Sequence, residues 1–291
     1  MKVGIIGSTG LIGSRVIELL KNSYEFSEFN SSTGTDITNA ESLKSLAESD
    51  SEWVVLLAAK TDVDGCELDK ALGEQGDAWK INVVGSQNVA SLCHKTGKKL
   101  IYVSTDFVFD GTNSEEELYS ENDTPNPVNW YAHTKWKGEQ AVQESGAEHV
   151  IVRLAYPYRA VLDKKKDFMR AIKSRLESGQ PVMAVTDHLF TPTFIDDFVM
   201  ALEVIISQDV RGIYHVVGND VMTPYEAAQI IAQEFDLDSS LISSTTRAEY
   251  FKGKADRPFN LSLNNDKINA LGVRMKTFQE GLQEVKKQIN R

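Results

Sequence analysis

The chain has 291 residues, of which 41% are hydrophobic and 25% are charged, as is typical of a soluble globular protein. Its formal net charge of −11 argues against nucleic acid as a partner, and no apolar run approaches the ~20 residues of a membrane span. The N-terminal MKVGIIGSTG is too short and too broken by glycines for a signal peptide, and two cysteines make no disulfide framework. A cytoplasmic location is therefore expected. The five histidines lack ligand spacing, so no metal site is predicted.

Short apolar runs alternate with longer amphipathic segments over about the first 155 residues. Strands buried on both faces are predicted at KVGIIG, WVVLLAA, KLIYVST and HVIVRLA, with a weaker one at YEFSEFNSS. Helices are predicted between them at 11–21, 39–48, 77–96 and 130–145. This alternation predicts a parallel sheet with right-handed crossovers.

A glycine-rich turn, GIIGSTGLIGSRV, joins the first strand to the first helix. Gly7, Gly10 and Gly13 form the pattern GxxGxxG, which permits a tight turn and lets backbone approach a pyrophosphate. The free amides at the start of the following helix favour an anion there. A dinucleotide site is therefore predicted, the alternative being a merely tight turn between strand and helix.

The end of the second strand, FNSSTGTD, does not decide between NADH and NADPH. An acidic residue would bind the ribose hydroxyls and an arginine would accept a 2′-phosphate, but neither stands clearly at this position. Asp36 comes late, and Ser31 or Ser32 could hydrogen-bond either form. Both cofactors stay open.

A tyrosine and a lysine share one face of the helix predicted over 130–145. Tyr131 and Lys135 are four residues apart, which is one helical turn. Thr105 ends the strand KLIYVST, and ligands bind at the carboxyl ends of strands in open α/β sheets. The spacing alone fits an ordinary helix surface equally well.

Beyond about residue 156 the pattern changes. Helices are predicted at KDFMRAIKSRLESGQP, at TPYEAAQIIAQEF with Thr223 as N-cap and Pro224 at its first position, and at about 277–290. PVMAVTD and GIYHVVG predict short strands, and Lys164–Lys166 predict solvated loop charge. We therefore predict a Rossmann-type, doubly wound α/β sheet domain over 1–155, and a smaller substrate-binding lobe over 156–291 that is interleaved with it.

Several blocks together resemble the extended short-chain dehydrogenase/reductases. They are the glycine turn, AAKTDVDGCE, INVVGSQNVA, STDFVFDGTNSEEELYSENDTPNPVNWYAHTKWKGE, FTPTFIDD and ADRPFNLSL. Within that group the chain resembles the dTDP-4-dehydrorhamnose reductases and the related regulatory β subunits of methionine adenosyltransferase. The resemblance covers nearly the whole chain.

The resemblance implies a catalytic set of Thr105, Tyr131 and Lys135. Tyrosine with a pKa of about 10 is a poor acid–base group at neutral pH, and an ammonium one turn away favours its phenolate. Thr105 would orient the carbonyl oxygen. The resemblance places the cofactor beside Gly7, Thr9, Gly10, Leu11, Ile12, Gly13, Asp36, Ile37, Ala58, Ala59, Lys60, Asn82, Tyr131 and Lys135. It places the substrate beside Thr61, Val63, Asp106, Phe107, Thr193 and Arg257.

Plainer interpretations stand beside some of these assignments. Thr61, Val63 and Asp64 could be ordinary turn residues of a loop, and Asn82 could order backbone between strand and helix. Arg257 could lie on the surface, and Thr193 could be structural.

Three functions are compatible with this sequence. The first is NADH- or NADPH-dependent reduction of the 4-keto group of a nucleotide-linked 6-deoxysugar. The second is a non-catalytic regulatory subunit that keeps the dinucleotide site. The third is epimerase or dehydratase chemistry, which Asp106-Phe107 disfavours because dehydratases carry an Asp-Glu pair there. A homodimer is possible, although Arg15 stands where some similar reductases carry a glutamate for a metal-linked dimer.

Overall fold

Ten β-strands lie within residues 1–161 and 166–290, the part of the chain that this computed structural model describes. They are β1 (Lys2–Ile6), β2 (Glu25–Phe29), β3 (Trp53–Leu56), β4 (Lys99–Thr105), β5 (His149–Leu154), β6 (Pro157–Tyr158), β7 (Val182–Val185), β8 (Thr193–Phe194), β9 (Gly212–His215) and β10 (Ile242–Thr245). Six of them form one sheet in the order β2-β1-β3-β4-β5-β9, and every neighbouring pair is parallel. The predicted α/β fold with a parallel Rossmann-type sheet is confirmed.

The helices of the described residues connect these strands. They are α1 (Gly13–Leu20), α2 (Lys44–Glu48), α3 (Val63–Asp69), α4 (Asp77–Trp79), α5 (Ser86–Thr96), α6 (Trp130–Glu144), α7 (Phe168–Glu177), α8 (Ile195–Ser207), α9 (Pro224–Glu234), α10 (Arg247–Tyr250), α11 (Asp266–Asn269) and α12 (Phe278–Ile289). A π-helical turn, Lys80–Gly85, joins α4 to α5 without a break in helical backbone. Among these helices none is long and apolar enough to cross a membrane.

Helices cover both faces of the central sheet. One face packs on α1 and α8, with Val16 and Ile205 among the buried residues, and the other on α5 and α6, with Val89 and Val142. All four residues of β3 are buried as a result. A strand enclosed on both sides needs apolar residues at every position, which is why these segments are continuous apolar runs.

The predicted elements of the first 155 residues are present. The weakly marked second strand is β2, and the helix predicted over 39–48 is a 3₁₀ turn, Ala40–Leu43, followed by α2. The segment predicted as the loop of Thr61, Val63 and Asp64 is different, because helix α3 begins at Val63. It forms because Val63 and Cys66, one turn apart, pack into the hydrophobic cluster beneath Tyr131.

The later predicted elements are also present, although the short helices α10 and α11, the longer helix α8 and the strands β6, β8 and β10 were missed. Helices α7, α9 and α12 and strands β7 and β9 lie where predicted, and Thr223 caps α9 with Pro224 in its first turn. Helix α8 was not predicted. Strand β9 pairs with β5 in the main sheet, while β7 pairs with β10. The domain division remains a prediction, and the lysine triplet falls partly outside the described residues.

Gly138 lets helix α6 lie against the sheet. A Cβ at this position would overlap the Tyr102 hydroxyl and the Asn82 carbonyl oxygen. Tyr102 is fully buried in β4, so it has no free space into which it can retreat. The distance between α6 and the sheet therefore depends on glycine here.

We expect Gly138→Ala to lower the free energy of unfolding by about 1–3 kcal/mol, because an inserted methyl in a packed core forces neighbours apart. Alanine is intrinsically favoured over glycine in a helix by about 1 kcal/mol, so a loss identifies packing as the cause. Urea denaturation measures the change. Gln143→Ala, at an exposed position of the same helix, is the control and should stay within about 0.5 kcal/mol of wild type. A Gly138→Ala protein as stable as wild type would contradict the close approach.

Candidate active site

The glycine turn after β1 has the backbone that a close ligand approach requires. Gly7 has φ of 91°, a left-handed conformation, and a Cβ there would lie 3.0 Å from the Ala58 amide nitrogen. A Cβ at Gly13 would overlap the Gly7 carbonyl oxygen. Helix α1 carries no acidic residue in its first turn, so its N-terminal amides face an anion without local repulsion. The turn therefore fits a dinucleotide pyrophosphate.

Thr105, Tyr131 and Lys135 meet at the carboxyl edge of the sheet. Thr105 ends β4, and the Asn129 side chain caps α6 by accepting from the Ala132 amide, which places Tyr131 in the first turn. Lys135 follows one turn later, and its Nζ donates to the Val103 carbonyl at 2.8 Å. All three catalytic candidates are buried.

Burial dominates the protonation of this set. It lowers the pKa of Lys135 to about 7, although the nearby Glu139 carboxylate opposes the shift. It also raises the pKa of Tyr131 well above its usual range, against the opposing influence of the Thr105 hydroxyl. Without a bound cofactor the pKa of Tyr131 is therefore raised. The sequence predicts the opposite shift, namely that the Lys135 ammonium lowers it. The cost of burying a charged phenolate is the largest contribution to this shift.

Asp106 is a buried carboxyl group with one unused oxygen. The Thr105 hydroxyl donates to its Oδ1 at 2.8 Å, while Oδ2 is buried without a hydrogen-bond partner. Only 2% of Asp106 is exposed, and burial raises its pKa to about 7. This carboxyl group therefore titrates in the physiological range.

One cavity of about 610 Å³ joins the glycine turn to these side chains. The predicted residues on its wall are Gly7, Gly10, Leu11, Ile12, Gly13, Ala59, Thr61, Val63, Thr105, Asp106, Phe107, Tyr131, Lys135 and Arg257. Sequence reasoning missed Leu57, Val103, Ser104, Leu154, Tyr156, Pro157 and Phe251. Most of these missed residues lie at or just after the carboxyl ends of β3, β4 and β5. Ligands bind at the carboxyl ends of strands in open α/β sheets, so inspecting that end of every strand would have found them.

Seven predicted residues are not on this wall, namely Thr9, Asp36, Ile37, Ala58, Lys60, Asn82 and Thr193. Thr193 is fully buried and its hydroxyl donates to the Ala155 carbonyl at 2.7 Å. Asp36 accepts from the Thr38 amide in an exposed turn, and Ile37 is buried in the core. The Asn82 side chain bonds neighbouring protein groups, namely the Lys60 amide, the Lys60 carbonyl and the Thr134 hydroxyl. Their assigned contacts with ligands stay predictions.

Arg257 lies on the cavity wall. Its Nη2 donates to Asp64 Oδ1 at 2.8 Å, and its guanidinium lies 4.6 Å from the centroid of the Phe251 ring. Asp64 stands in the first turn of α3, so this ion pair links two separate segments across the wall. The same ion pair holds the Arg257 guanidinium beside the cavity, where an anionic group could bind to it.

Tyr156, directly after β5, was not predicted and has an unusual backbone. Its φ of 41° is left-handed, which costs a non-glycine residue on the order of 1–3 kcal/mol. Its hydroxyl lies 2.9 Å from His188 Nε2. Such strain persists where the surrounding structure imposes it, as it often does at functional sites.

No metal site competes with this cavity in residues 1–161 and 166–290, where no group of three or more His, Cys, Asp or Glu side chains could hold an ion. Near Arg15 the carboxylates are already bound by its guanidinium, so they are not available to an ion. Its guanidinium bonds Asp196 of α8, Glu18 of α1 and Gln288 of α12. The residue therefore joins three helices.

Comparison with known proteins places these features in a family context. A family model described as the RmlD substrate binding domain matches residues 1–291. A probable low-salt glycan biosynthesis reductase of Haloferax volcanii is 29% identical over 96% of this chain and 95% of its own length. A dTDP-4-dehydrorhamnose reductase of Mycobacterium tuberculosis is 34% identical over 68% of this chain, a stretch that spans 64% of that relative.

Two further similarities bear on the alternatives. Methionine adenosyltransferase 2 subunit beta of Mus musculus is 33% identical over 71% of this chain and 63% of its own length. A crystal structure of dTDP-4-dehydrorhamnose reductase from Bacillus anthracis in complex with NADP superposes with a TM-score of 0.89, at 27% identity, over 99% of both chains. The shared fold thus extends over the whole chain.

We expect Asp106→Asn to remove a pH dependence of stability in the protein without cofactor. The native pKa of about 7 lies above the unfolded value of about 3.9, so the native state holds the extra proton between these pH values. The free energy of unfolding therefore falls as the pH rises through this window, by up to about 4 kcal/mol. Urea denaturation at pH 5, 6, 7 and 8 measures the slope.

The asparagine variant should be the more stable protein at pH 8 and show a flatter curve between pH 5 and 7. Glu116→Gln, at an exposed carboxyl, is the control and should keep the wild-type slope. An unchanged slope in Asp106→Asn would show that this carboxyl is ionised throughout.

Proposed function

This chain belongs to the RmlD substrate binding domain family, and we propose on that basis that it is an NAD(P)H-dependent oxidoreductase of the extended short-chain dehydrogenase/reductase type. Its proposed reaction is reduction of the 4-keto group of a nucleotide-linked 6-deoxysugar. One observation carries the proposal, which is that Thr105, Tyr131 and Lys135 line the same cavity as the glycine turn. A proton donor therefore faces the space in which a dinucleotide held by that turn would end.

The chain's residues fit a nicotinamide dinucleotide. The amides at the start of α1 would hold the pyrophosphate, and the positive φ of Gly7 gives the backbone the shape this needs. Lys135 is the residue that the family resemblance assigns to the nicotinamide ribose. The bound cofactor would supply the hydride, which is the chemistry that no side chain provides.

Tyr131 is the proposed proton donor. Reduction of a ketone places negative charge on the carbonyl oxygen, and a neutral phenol beside it can give up its proton as that charge develops. The raised pKa of Tyr131 keeps the phenol protonated in the free chain. Lys135, with a pKa of about 7, gains charge when an anion forms nearby and stabilises the phenolate that remains.

Thr105 is the proposed second donor to the carbonyl oxygen, and Asp106 controls it. Threonine has one hydroxyl hydrogen, and in the free chain that hydrogen points to Asp106 Oδ1. Donation to the substrate therefore needs this bond to break, or needs Asp106 to carry a proton and donate to the Thr105 oxygen itself. The raised pKa of Asp106 supports the second arrangement at or below neutral pH.

The nucleotide-sugar class is supported by a cationic side chain on the cavity wall. Arg257 supplies a guanidinium suited to a phosphate oxygen, and Asp64 holds that guanidinium in place. The relatives that act on dTDP-4-dehydrorhamnose, by their names, motivate this substrate as the first to test.

We expect Tyr131→Phe to lower kcat/KM by about 10²–10⁴-fold for a dTDP-4-keto-6-deoxysugar, because the proton donor is lost. Nicotinamide oxidation measures turnover, with NADH and NADPH run in parallel to establish the cofactor preference. Tyr24→Phe, a half-buried tyrosine before β2, is the matched control and should keep wild-type activity. Undiminished turnover in Tyr131→Phe would contradict the mechanism.

A regulatory subunit is the second candidate, and the 33% identity with methionine adenosyltransferase 2 subunit beta favours it. A chain of this kind would bind the dinucleotide and a partner enzyme without reducing a sugar. Cofactor binding without turnover, together with a stoichiometric complex with a methionine adenosyltransferase, would support it over the reductase. Epimerase or dehydratase chemistry ranks third, because apolar Phe107 stands where a second acid–base residue is needed.

A further inference from the structure

Tyr156 lies on the cavity wall, and the proposed mechanism does not use it. Its ring packs against Phe190 in a tilted arrangement with a centroid distance of 4.0 Å, which restricts the direction of its side chain. Its hydroxyl is close enough to Asp106 and Arg257, two other residues of the cavity wall, for their charges to act on it. The Tyr156 side chain therefore shares the cavity with both a carboxyl group and a guanidinium.

His188 determines which way the Tyr156 hydroxyl hydrogen points. Nδ1 of His188 lies 2.8 Å from the Pro258 carbonyl oxygen, which can only accept, so Nδ1 carries a hydrogen. The ring is 1% exposed and burial lowers its pKa to about 4, so it is neutral near pH 7. Nε2 then has a free lone pair, and Tyr156, 2.9 Å away, must donate to it.

This donation leaves the Tyr156 oxygen with accepting capacity only. The nearby Asp106 Oδ2 is also unpartnered and accepts when the carboxyl is ionised. A substrate group that meets these two oxygens must supply hydrogens, as a sugar hydroxyl does. A carbonyl, a carboxylate or a phosphate at the same place would face lone pairs.

We propose that Tyr156, held by His188, is a specificity-determining residue that accepts a hydrogen bond from a hydroxyl group of the sugar. This inference rests on the proposed function for the class of substrate. It adds that the enzyme discriminates against sugars that lack this hydroxyl, because the buried oxygen would then lose its partner. His188 is a positioning residue in this scheme.

The backbone supports a fixed position for Tyr156. The left-handed φ at Tyr156 turns the chain out of β5 and into β6, which pairs with β8 through Pro157 and Thr193. His188 is positioned separately, because the adjacent Leu189 forms a β-bridge with Asn260 and the His188 ring bonds the Pro258 carbonyl. Backbone contacts thus restrain both Tyr156 and His188.

The first test is the tautomer of His188, measured by ¹⁵N NMR of the whole protein at pH 7.5 without substrate. We expect a neutral ring with its hydrogen on Nδ1, with the signal assigned by its loss in His188→Gln. A hydrogen on Nε2, or a charged ring, would reverse the Tyr156 hydrogen bond and overturn the proposal. This readout is independent of enzyme activity.

The second test compares binding of dTDP-rhamnose with its 2-deoxy and 3-deoxy analogues, by calorimetry with saturating NADP⁺. We expect one analogue to bind wild type at least tenfold more weakly than dTDP-rhamnose, and this ratio to fall below about threefold in Tyr156→Phe. In His188→Leu the Tyr156 hydroxyl loses its acceptor and can turn to donate, so the ratio should also shrink. Tyr24→Phe is the control and should keep the wild-type ratio.

The outcomes separate this proposal from the reductase assignment. Turnover of a 4-keto sugar with equal binding of all three ligands, or with a ratio that survives in Tyr156→Phe, would overturn the role of Tyr156 alone. Discrimination in binding without any turnover would contradict the reductase and support the role of Tyr156. Failure of wild type to bind all three dTDP-sugars would overturn the inference.

Discussion

The side-chain amide of Asn82 holds the two halves of the site together. Its Oδ1 accepts from the Lys60 amide, and its Nδ2 donates to the Lys60 carbonyl and to the Thr134 hydroxyl. Lys60 belongs to the segment after β3 that packs beside Gly7, while Thr134 lies in α6 between Tyr131 and Lys135. The π-helical turn that contains Asn82 thus fixes the cofactor side of the cavity relative to the catalytic helix.

A buried ion pair anchors the same helix from its other side. The Glu139 carboxylate binds the guanidinium of Arg153 in β5 through two hydrogen bonds of 2.7 and 2.9 Å, and both side chains are 2% exposed. Such a pair offsets much of its own desolvation only when its geometry is good. Glu139 is also one turn from Lys135, so the group that fixes α6 favours positive charge at the site. Anchoring and electrostatics are therefore coupled.

The sequence predicts the local features well and the long-range ones poorly. Continuous apolar runs identified the strands of the sheet. The turn at Gly7 and the spacing of Tyr131 and Lys135 located most of the cavity. Each of these signals lies within a few residues of the chain and can therefore be read from the sequence. The bond between Tyr156 and His188 joins positions 32 residues apart, and the Arg257–Asp64 pair joins positions 193 apart. Only the folded chain brings such partners together, and tertiary packing also decided that Val63 begins a helix.

The position of β9 has a consequence for biosynthesis. Strand β5 is buried over nearly its whole length, yet its outer edge is paired by β9, which follows about 60 residues later in the chain. During translation at roughly 5–20 residues per second, that edge stays open for several seconds after β5 has left the ribosome. An unpaired strand edge is a template for aggregation. During this interval the open edge of β5 is therefore a site where a chaperone would protect the nascent chain. The C-terminal part of the chain ends this exposure by supplying the last strand.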